Sequence, residues 1–145
     1  MTGFMQIAFD QAEAAALRGE VPVGAVLVRD GMVIAAAGNR VEELNDPTAH
    51  AEMLVLRAAA PQAGGRLEGC DLYVTLEPCP MCAAAMSLAR IRRLYFAAYD
   101  PKGGGVEHGA KVFEHATCHH RPETYGGIGE GRAAAMLRDF FRARR

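Results

Sequence analysis

Three side chains that commonly bind metal ions, and one neighbouring carboxylate, lie in two short segments of the sequence. Cys79 and Cys82 are three positions apart, which puts both sulfur atoms on one face of the first turn of a helix. His50 is a candidate third ligand, and three protein ligands leave the fourth position of a tetrahedral zinc ion open to water. Glu52 lies close enough in sequence to take a proton from that water. The residue types and their spacing therefore predict a catalytic zinc site with a carboxylate as its proton carrier.

The residues around this predicted site resemble those of the bacterial tRNA-specific adenosine deaminases, within the zinc-dependent cytidine and deoxycytidylate deaminase superfamily. His50-Ala51-Glu52 and Pro78-Cys79-Pro80-Met81-Cys82 match the H-x-E and P-C-x-x-C pattern that marks zinc-dependent nucleobase deaminases. The likeness runs from Glu20-Val21-Pro22-Val23-Gly24-Ala25-Val26 to Asp139-Phe140-Phe141-Arg142. It therefore covers nearly the whole chain.

The resemblance implies hydrolytic deamination of adenosine to inosine at the wobble position of a tRNA anticodon. The implied cofactor is one zinc ion per chain, bound by His50, Cys79 and Cys82, which lowers the pKa of bound water toward roughly 7. Glu52 is expected to take the proton of this water, pass it to the ring nitrogen beside the target carbon, and then help to protonate the departing amine.

The resemblance also implies contacts with RNA that composition and spacing do not predict. The family has an asparagine after the hairpin that holds the target base, and an aspartate after the fourth strand near the nucleotide backbone. The matching residues are Asn39 and Asp100, and Lys102, Phe141 and Arg142 are expected to contact the substrate with them. Without the resemblance, Asn39 and Asp100 are typical turn residues, and a phenylalanine at helical spacing is typical of a core.

The expected partners follow from the same family. They are a tRNA anticodon stem-loop and a second copy of this chain, with no membrane or DNA partner. Family members pair so that each active site is completed by the neighbouring chain. The small side chains from Ala83 to Ala89 suit close contact between helices.

The composition is consistent with one zinc-dependent deaminase domain over residues 1–145. Half of the 145 residues are hydrophobic, and four cysteines are too few for a disulfide framework. A cytoplasmic location is expected, because the sequence shows no membrane-spanning run and no secretion signal at its start. The net charge of −1 restricts RNA binding to a local patch. The densest basic cluster is Arg142, Arg144 and Arg145, and it is expected to bind RNA together with the loop over residues 100–109.

Helical and strand periodicities alternate along the chain, which implies an α/β fold. The predicted helices cover residues 4–17, 47–60, 79–89 and 130–145, and the predicted strands cover residues 23–28, 32–37, 72–76 and 94–99. The first two strands form a hairpin through Asp30-Gly31 and are expected to be buried on both faces. Residues 123–129 fit a short strand or a turn. The glycine-rich segment 100–109 predicts an irregular loop.

The family resemblance makes this fold class more specific. It implies a three-layer α/β/α sandwich of the cytidine deaminase type, with a central mixed sheet of about five strands and helices on both faces. The two ligand-bearing helices are expected to begin near one edge of that sheet. Ligands of such sheets bind beyond the strand ends.

Two other interpretations of the cysteines remain open. A C-x-x-C motif after a strand also occurs in thiol oxidoreductases of the glutaredoxin kind, although that interpretation leaves His50 and Glu52 without a role. A closed structural zinc site is the second, with a fourth ligand from Cys70, Cys118, His119 or His120. Cys70 is more simply explained as a small buried hydrophobic residue.

Two other functions also remain open. Zinc-dependent deaminases of free guanine, adenine or cytosine share the same metal chemistry, and a zinc-stabilised RNA-binding module would have no turnover.

The arginines of Arg90-Ile91-Arg92-Arg93 are compatible with a solvated surface.

Overall fold

The computed structural model of this protein describes residues 3–144. The strands are β1 (Gly24–Arg29), β2 (Met32–Gly38), β3 (Cys70–Leu76), β4 (Arg93–Ala98) and β5 (Glu123–Tyr125). The helices are α1 (Phe4–Leu17), α2 (Val41–Leu44), α3 (Ala51–Ala59), α4 (Pro80–Ala89) and α5 (Glu130–Arg142), with 3-10 turns at Ala60–Ala63 and Val112–Glu114. Arg145, the last member of the predicted basic cluster, lies outside the described residues, as do Met1 and Thr2.

The five strands form one mixed sheet in the order β2-β1-β3-β4-β5. Strand β1 is antiparallel to both β2 and β3, whereas β3, β4 and β5 are parallel. Asp30 and Gly31 have φ angles of 51° and 76°, the left-handed backbone of a two-residue hairpin turn, which confirms the predicted hairpin. Helix α4 is the crossover that a parallel β3–β4 pair requires.

Helices cover both faces of the sheet, which confirms the predicted three-layer α/β/α sandwich. Helices α1 and α5 pack on one face around Met5, Ala8, Phe9, Val26, Ala97 and Ala133. Helices α3 and α4 pack on the other face around Val55, Leu72, Cys82, Met86, Leu94 and Phe96. None of the helices within residues 3–144 combines the length and apolar character needed to cross a membrane.

The prediction that both hairpin strands are buried on both faces is wrong for β2. Its first three residues, Met32, Val33 and Ile34, are exposed, whereas all residues of β1 except Arg29 are buried. Strand β2 is exposed because it is the edge of the sheet and has a neighbour on one side only. An apolar sequence therefore does not distinguish a central strand from this edge strand.

The periodicity of the sequence did not predict two short elements. Helix α2 was not predicted, and the undecided segment 123–129 forms the short parallel strand β5 and a turn. Tyr73, Tyr95 and Tyr125 occupy matching positions on β3, β4 and β5, and their rings stack at centroid distances of 4.5 and 5.1 Å. These stacked rings hold β5 against β4, although β5 has only three residues.

Candidate active site

The pairing of the strands brings four separate parts of the chain to one edge of the sheet, the edge at which β1 begins and β2, β3 and β4 end. Gly24 lies opposite Gly38, so the start of β1 and the end of β2 are neighbours. Because β1 is antiparallel to β3, the same edge receives the end of β3, and the end of the parallel strand β4 lies beside it. Asn39 and the segment 77–79 follow these ends directly, and Asp100 is the second residue after β4. The topology therefore gathers residues that are far apart in sequence.

The three predicted metal ligands meet at this edge, where two helices begin. His50 is the N-cap of α3 and Cys79 is the N-cap of α4, while Pro80 fixes the first turn that carries Cys82. The ligand atoms of His50, Cys79 and Cys82 all lie within 4.8 Å of one another. Among residues 3–144 they are the only group of three or more His, Cys, Asp or Glu residues arranged in this way. The predicted metal-binding group is therefore confirmed.

The distances within this group fit a tetrahedral zinc site. His50 Nδ1 lies 3.5 Å from Cys79 Sγ and 3.6 Å from Cys82 Sγ. Zinc bonds of about 2.0–2.1 Å to nitrogen and about 2.3 Å to sulfur, at tetrahedral angles, separate these atoms by about 3.6 Å. One ion can therefore contact all three atoms without any movement of the backbone.

The two thiols of the metal group differ in their pKa. The hydrogen bond from Cys82 lowers the pKa of Cys79 to about 4, and the same interaction, together with burial, raises the pKa of Cys82. Its hydrogen bond with Cys79 raises the pKa of His50. One negative charge is thus favoured on this sulfur pair, and a cation bound by both sulfur atoms would favour a second thiolate.

Glu52 lies beside the metal group without belonging to it. It is in the first turn of α3, and it is only 4% exposed. Burial raises the pKa of Glu52 to about 7, well above the usual range of a carboxylic acid. A carboxyl group with such a pKa can take and release a proton near neutral pH. Its catalytic role stays a prediction.

A cavity of about 670 Å³ opens beside the metal group, within the size range of small-molecule sites. Its lining includes Asn39, His50, Glu52, Glu77, Cys79, Asp100, Gly103, Phe140 and Arg144. Asn39 and Asp100, two predicted substrate-binding residues, are thus next to the predicted catalytic group. Asn39 also accepts a hydrogen bond from Ala51 N–H at 2.8 Å, which ties the end of β2 to the start of α3.

The other three predicted substrate-binding residues do not line this cavity. Lys102 is exposed on the loop after β4, and Phe141 and Arg142 line a separate surface depression with Leu137 and Arg138. Their contact with a substrate stays a prediction.

Phe140 on α5 and Arg144, just beyond the end of α5, line the main cavity instead. Phe140 is 9% exposed, and the guanidinium carbon of Arg144 lies 3.5 Å from the centre of its ring, a cation–π contact. Residues four apart share a helix face, and this spacing is the sequence signal that pairs Phe140 with Arg144.

Two buried carboxylates at this edge were also missed by sequence reasoning. Glu20 is 1% exposed and accepts hydrogen bonds from the backbone N–H groups of Glu42 and Glu43, which holds α2 against the cavity. Glu77 is 2% exposed. Although burial opposes its ionisation, hydrogen bonds from the backbone of Asp100 and from the His108 ring lower the pKa of Glu77. A carboxylate directly before a metal-binding motif gives no local signal of such burial.

The alternative zinc ligands lie elsewhere. Cys118 donates a hydrogen bond to the carbonyl oxygen of His120 at 3.1 Å, and the His120 ring donates to the carbonyl oxygen of Ile91 at 2.7 Å. Cys70 is fully buried at the start of β3. None of these residues joins the metal group, so the closed structural site is not formed.

Arg92, just before β4, and Arg93, its first residue, form ion pairs. Arg92 binds Asp71 at 2.8 Å and Arg93 binds Glu123 at 2.9 Å. These pairs agree with the interpretation that the arginines lie on a solvated surface.

Removal of one metal ligand is expected to abolish zinc binding. Cys79→Ala leaves two protein ligands, whereas Cys118→Ala removes a sulfur atom outside the metal group and should retain about one zinc per chain. Elemental analysis of both purified variants beside the unaltered protein measures this difference. Retention of zinc by Cys79→Ala, or its loss from Cys118→Ala, would contradict the assignment.

Comparison with known proteins gives relatives that match over nearly the whole chain. A relative from Agrobacterium fabrum, named tRNA-specific adenosine deaminase, is 59% identical over 145 residues, which are 99% of this chain and 95% of the relative. A solved structure from a study of A-to-I editing by tRNA:A34 deaminases at the wobble position of transfer RNA has a TM-score of 0.90 at 59% identity. It covers 92% of this chain and 98% of that chain, and it confirms the predicted fold type.

The same chemistry on a different substrate occurs in a more distant relative. The structure of guanine deaminase from Bacillus subtilis has a TM-score of 0.62 at 41% identity, and the match covers 66% of this chain and 62% of that chain. A family model described as "Cytidine and deoxycytidylate deaminase zinc-binding region" matches residues 2–98, which include all three metal ligands. The thiol oxidoreductase interpretation is therefore wrong. The chain belongs to the zinc-binding family of cytidine and deoxycytidylate deaminases.

Proposed function

We propose that this protein is a zinc-dependent hydrolase that deaminates adenosine to inosine at the wobble position of a tRNA anticodon. The observation that carries the proposal is the buried carboxylate of Glu52 beside a group of three metal ligands, with a cavity of about 670 Å³ in front of both. The 59% identity to a tRNA-specific adenosine deaminase supports the choice of substrate. Residues 1–145 act as a single deaminase domain in this proposal, and a tRNA substrate implies a cytoplasmic location.

Glu52 moves the protons of the proposed reaction. It takes one proton from the attacking water as the water oxygen bonds to C6 of adenine, and it delivers that proton to the neighbouring ring nitrogen. A second proton, from the newly bonded oxygen, passes through Glu52 to the departing amine as the C6–N bond breaks. Ammonia and inosine are the products. With a pKa of about 7, the same carboxyl group serves both transfers near neutral pH.

The three residues of the metal group would hold the zinc ion for this step. Zinc bound by His50, Cys79 and Cys82 would lower the pKa of water to about 7. Both sulfur atoms lie at the N-terminal end of α4, where backbone N–H groups and the helix dipole favour negative charge. The chain therefore stabilises the thiolates from the helix side as well.

Phe140 and Arg144 support an RNA strand as the substrate. Phe140 is buried and Arg144 is exposed, so the stacked pair extends from the core to the surface beside the cavity. Proteins bind single-stranded RNA by combining aromatic surfaces with cationic side chains, and an anticodon loop presents unpaired bases. A free nucleobase has no phosphate for an arginine to neutralise. Deamination of free guanine, adenine or cytosine is the alternative function.

A homodimer is proposed from an apolar surface on α4. Leu88 is 80% exposed there, beside a groove of about 370 Å³ lined by Ala84, Val112 and Cys118, among others. An exposed large aliphatic side chain next to an apolar groove is typical of a surface that another protein covers. A second copy of the chain is the proposed occupant.

Incubation with two kinds of substrate tests the reaction. Zinc-loaded protein is expected to convert the wobble adenosine of an anticodon stem-loop to inosine and to leave free guanine, adenine and cytosine unchanged. Glu52→Gln should retain zinc and lose about 10²-fold or more of kcat, because the amide cannot carry the proton. Turnover of free bases without turnover of the stem-loop would favour the alternative function, and full activity of Glu52→Gln would contradict the role of its carboxylate.

Two arginines of the same C-terminal region allow a matched test of RNA binding. Arg144→Ala should raise the KM for the stem-loop roughly 5-fold or more and flatten the salt dependence of binding by about 0.7 in slope. Arg142→Ala should have the smaller effect, because Arg142 lies outside the cavity and is 3.9 Å from Asp139. Steady-state kinetics and binding at several salt concentrations measure both. A larger effect of Arg142→Ala would instead support the contact predicted from the sequence.

Sedimentation tests the dimer with two exposed leucines. The unaltered protein should sediment as a dimer at micromolar concentration, and Leu88→Glu should sediment as a monomer, because a charge would be buried in the interface. Leu17→Glu is the control, since Leu17 is 91% exposed at the end of α1. A monomeric unaltered protein would refute the proposed dimer.

A further inference from the structure

The buried carboxylate of Glu77 has no part in the proposed proton transfers, yet it has many hydrogen-bond partners. Its side chain is 0% exposed. Oε1 accepts from the Asp100 N–H at 3.0 Å and pairs with Nδ1 of His108 at 2.8 Å. Oε2 accepts from the N–H groups of Val106, Glu107 and His108 at 3.2, 2.9 and 3.0 Å. All these partners belong to the loop after β4, so one carboxylate satisfies four of the loop's backbone N–H groups.

The same loop lies directly on the first turn of α4. Gly105 N–H donates to the carbonyl oxygen of Pro78 at 2.8 Å, and a Cβ atom at Gly105 would lie 2.6 Å from Pro80 N. A Cβ atom at Gly104 would collide with the Glu77 carboxylate. Glycine is therefore required at both positions for the close approach. The loop is held between Glu77 and the turn that carries Cys79 and Cys82.

This loop also forms a wall of the active-site cavity. Asp100 and Gly103 line the cavity, as do Glu77 and Cys79. The Asp100 carboxylate accepts hydrogen bonds from the N–H groups of Lys102 and Gly103 at 3.2 and 2.9 Å, so its orientation follows that of the loop. A change in the contact between Glu77 and the loop would move the wall relative to the metal group.

We infer that Glu77 is a positioning residue that sets the distance between the substrate wall and the metal group by fixing the loop over residues 100–108. This inference rests on the proposed function for the identity of the substrate. Glu77 acts through Asp100 and Gly103 and carries no proton in the reaction. Its loss should therefore weaken substrate binding more than it weakens zinc binding or the chemical step.

Glu77→Gln is the most direct variant, because it keeps the size of the side chain and replaces one acceptor oxygen by a donor. At least one N–H of the loop then loses its acceptor. Amide hydrogen exchange of residues 100–108 should become about 10-fold faster, and the KM should rise about 10-fold, with kcat and zinc content changed less than about 2-fold.

Glu107→Gln is the matched control. It also removes one negative charge, here from the loop itself, but the Glu107 side chain is exposed, and only its backbone N–H contacts Glu77. It should leave amide exchange and the KM unchanged. Equal effects of the two variants would overturn the inference, because they would indicate a general effect of charge.

Gly104→Ala keeps the test decisive if Glu77→Gln does not fold. The added methyl group pushes against the Glu77 carboxylate and the carbonyl oxygen of Asp100 without changing any charge, so it should displace the loop and raise the KM with zinc retained. Unchanged KM and amide exchange in the folded variants would overturn the inference. The kinetics use whichever substrate the unaltered protein deaminates, so a lack of activity on the stem-loop counts against the proposed function and not against the role of Glu77.

Discussion

The active site depends on the register between β1 and β3. Ala25 lies opposite Val74 in the antiparallel pair, while Leu76 lies opposite Ala98 in the neighbouring parallel pair. A slip of one residue in either pair would turn every side chain of that strand to the other face of the sheet. Both central strands are buried on their two faces, so such a slip would move apolar side chains out of two packed layers. The register is therefore strongly specified, and it fixes the relative positions of the site residues at the strand ends.

Three buried carboxylates at this edge have different surroundings and, in this account, different roles. Glu20 and Glu77 accept hydrogen bonds from backbone N–H groups and hold α2 and the loop after β4. Burial dominates for Glu52 and raises its pKa to about 7. Burial is common to all three, and the hydrogen-bond donors around Glu77 lower its pKa, whereas burial raises the pKa of Glu52.

The metal group was predictable from the sequence because its signals are local. Cys79 and Cys82 lie in one helical turn, and His50 and Glu52 begin another helix. The partners of Glu77 are 23 to 31 residues away in sequence, and no periodicity reports such contacts. The cavity-lining phenylalanine depends on helix phase, since one position along a helix of 3.6 residues per turn rotates a side chain by about 100°. This rotation separates Phe140, which lines the cavity, from Phe141.

The edge location of β2 was missed for a related reason. Its apolar sequence resembles that of a central strand, and only the order of the strands shows that one side has no neighbour. Helix α2 has four residues, too few for a periodic pattern, and it depends on the distant carboxylate of Glu20. Fold class could thus be predicted from local patterns, whereas edges, short elements and buried charges depend on the tertiary structure.

X-ray absorption at the zinc edge tests whether three side chains of this sheet edge bind zinc and leave one position open. We expect two sulfur atoms at about 2.3 Å and two nitrogen or oxygen atoms at about 2.0 Å, one of which is not from the protein and exchanges with added ligands. A shell with three sulfur atoms, or a fourth position that no added ligand can occupy, would contradict an open catalytic site formed by His50, Cys79 and Cys82.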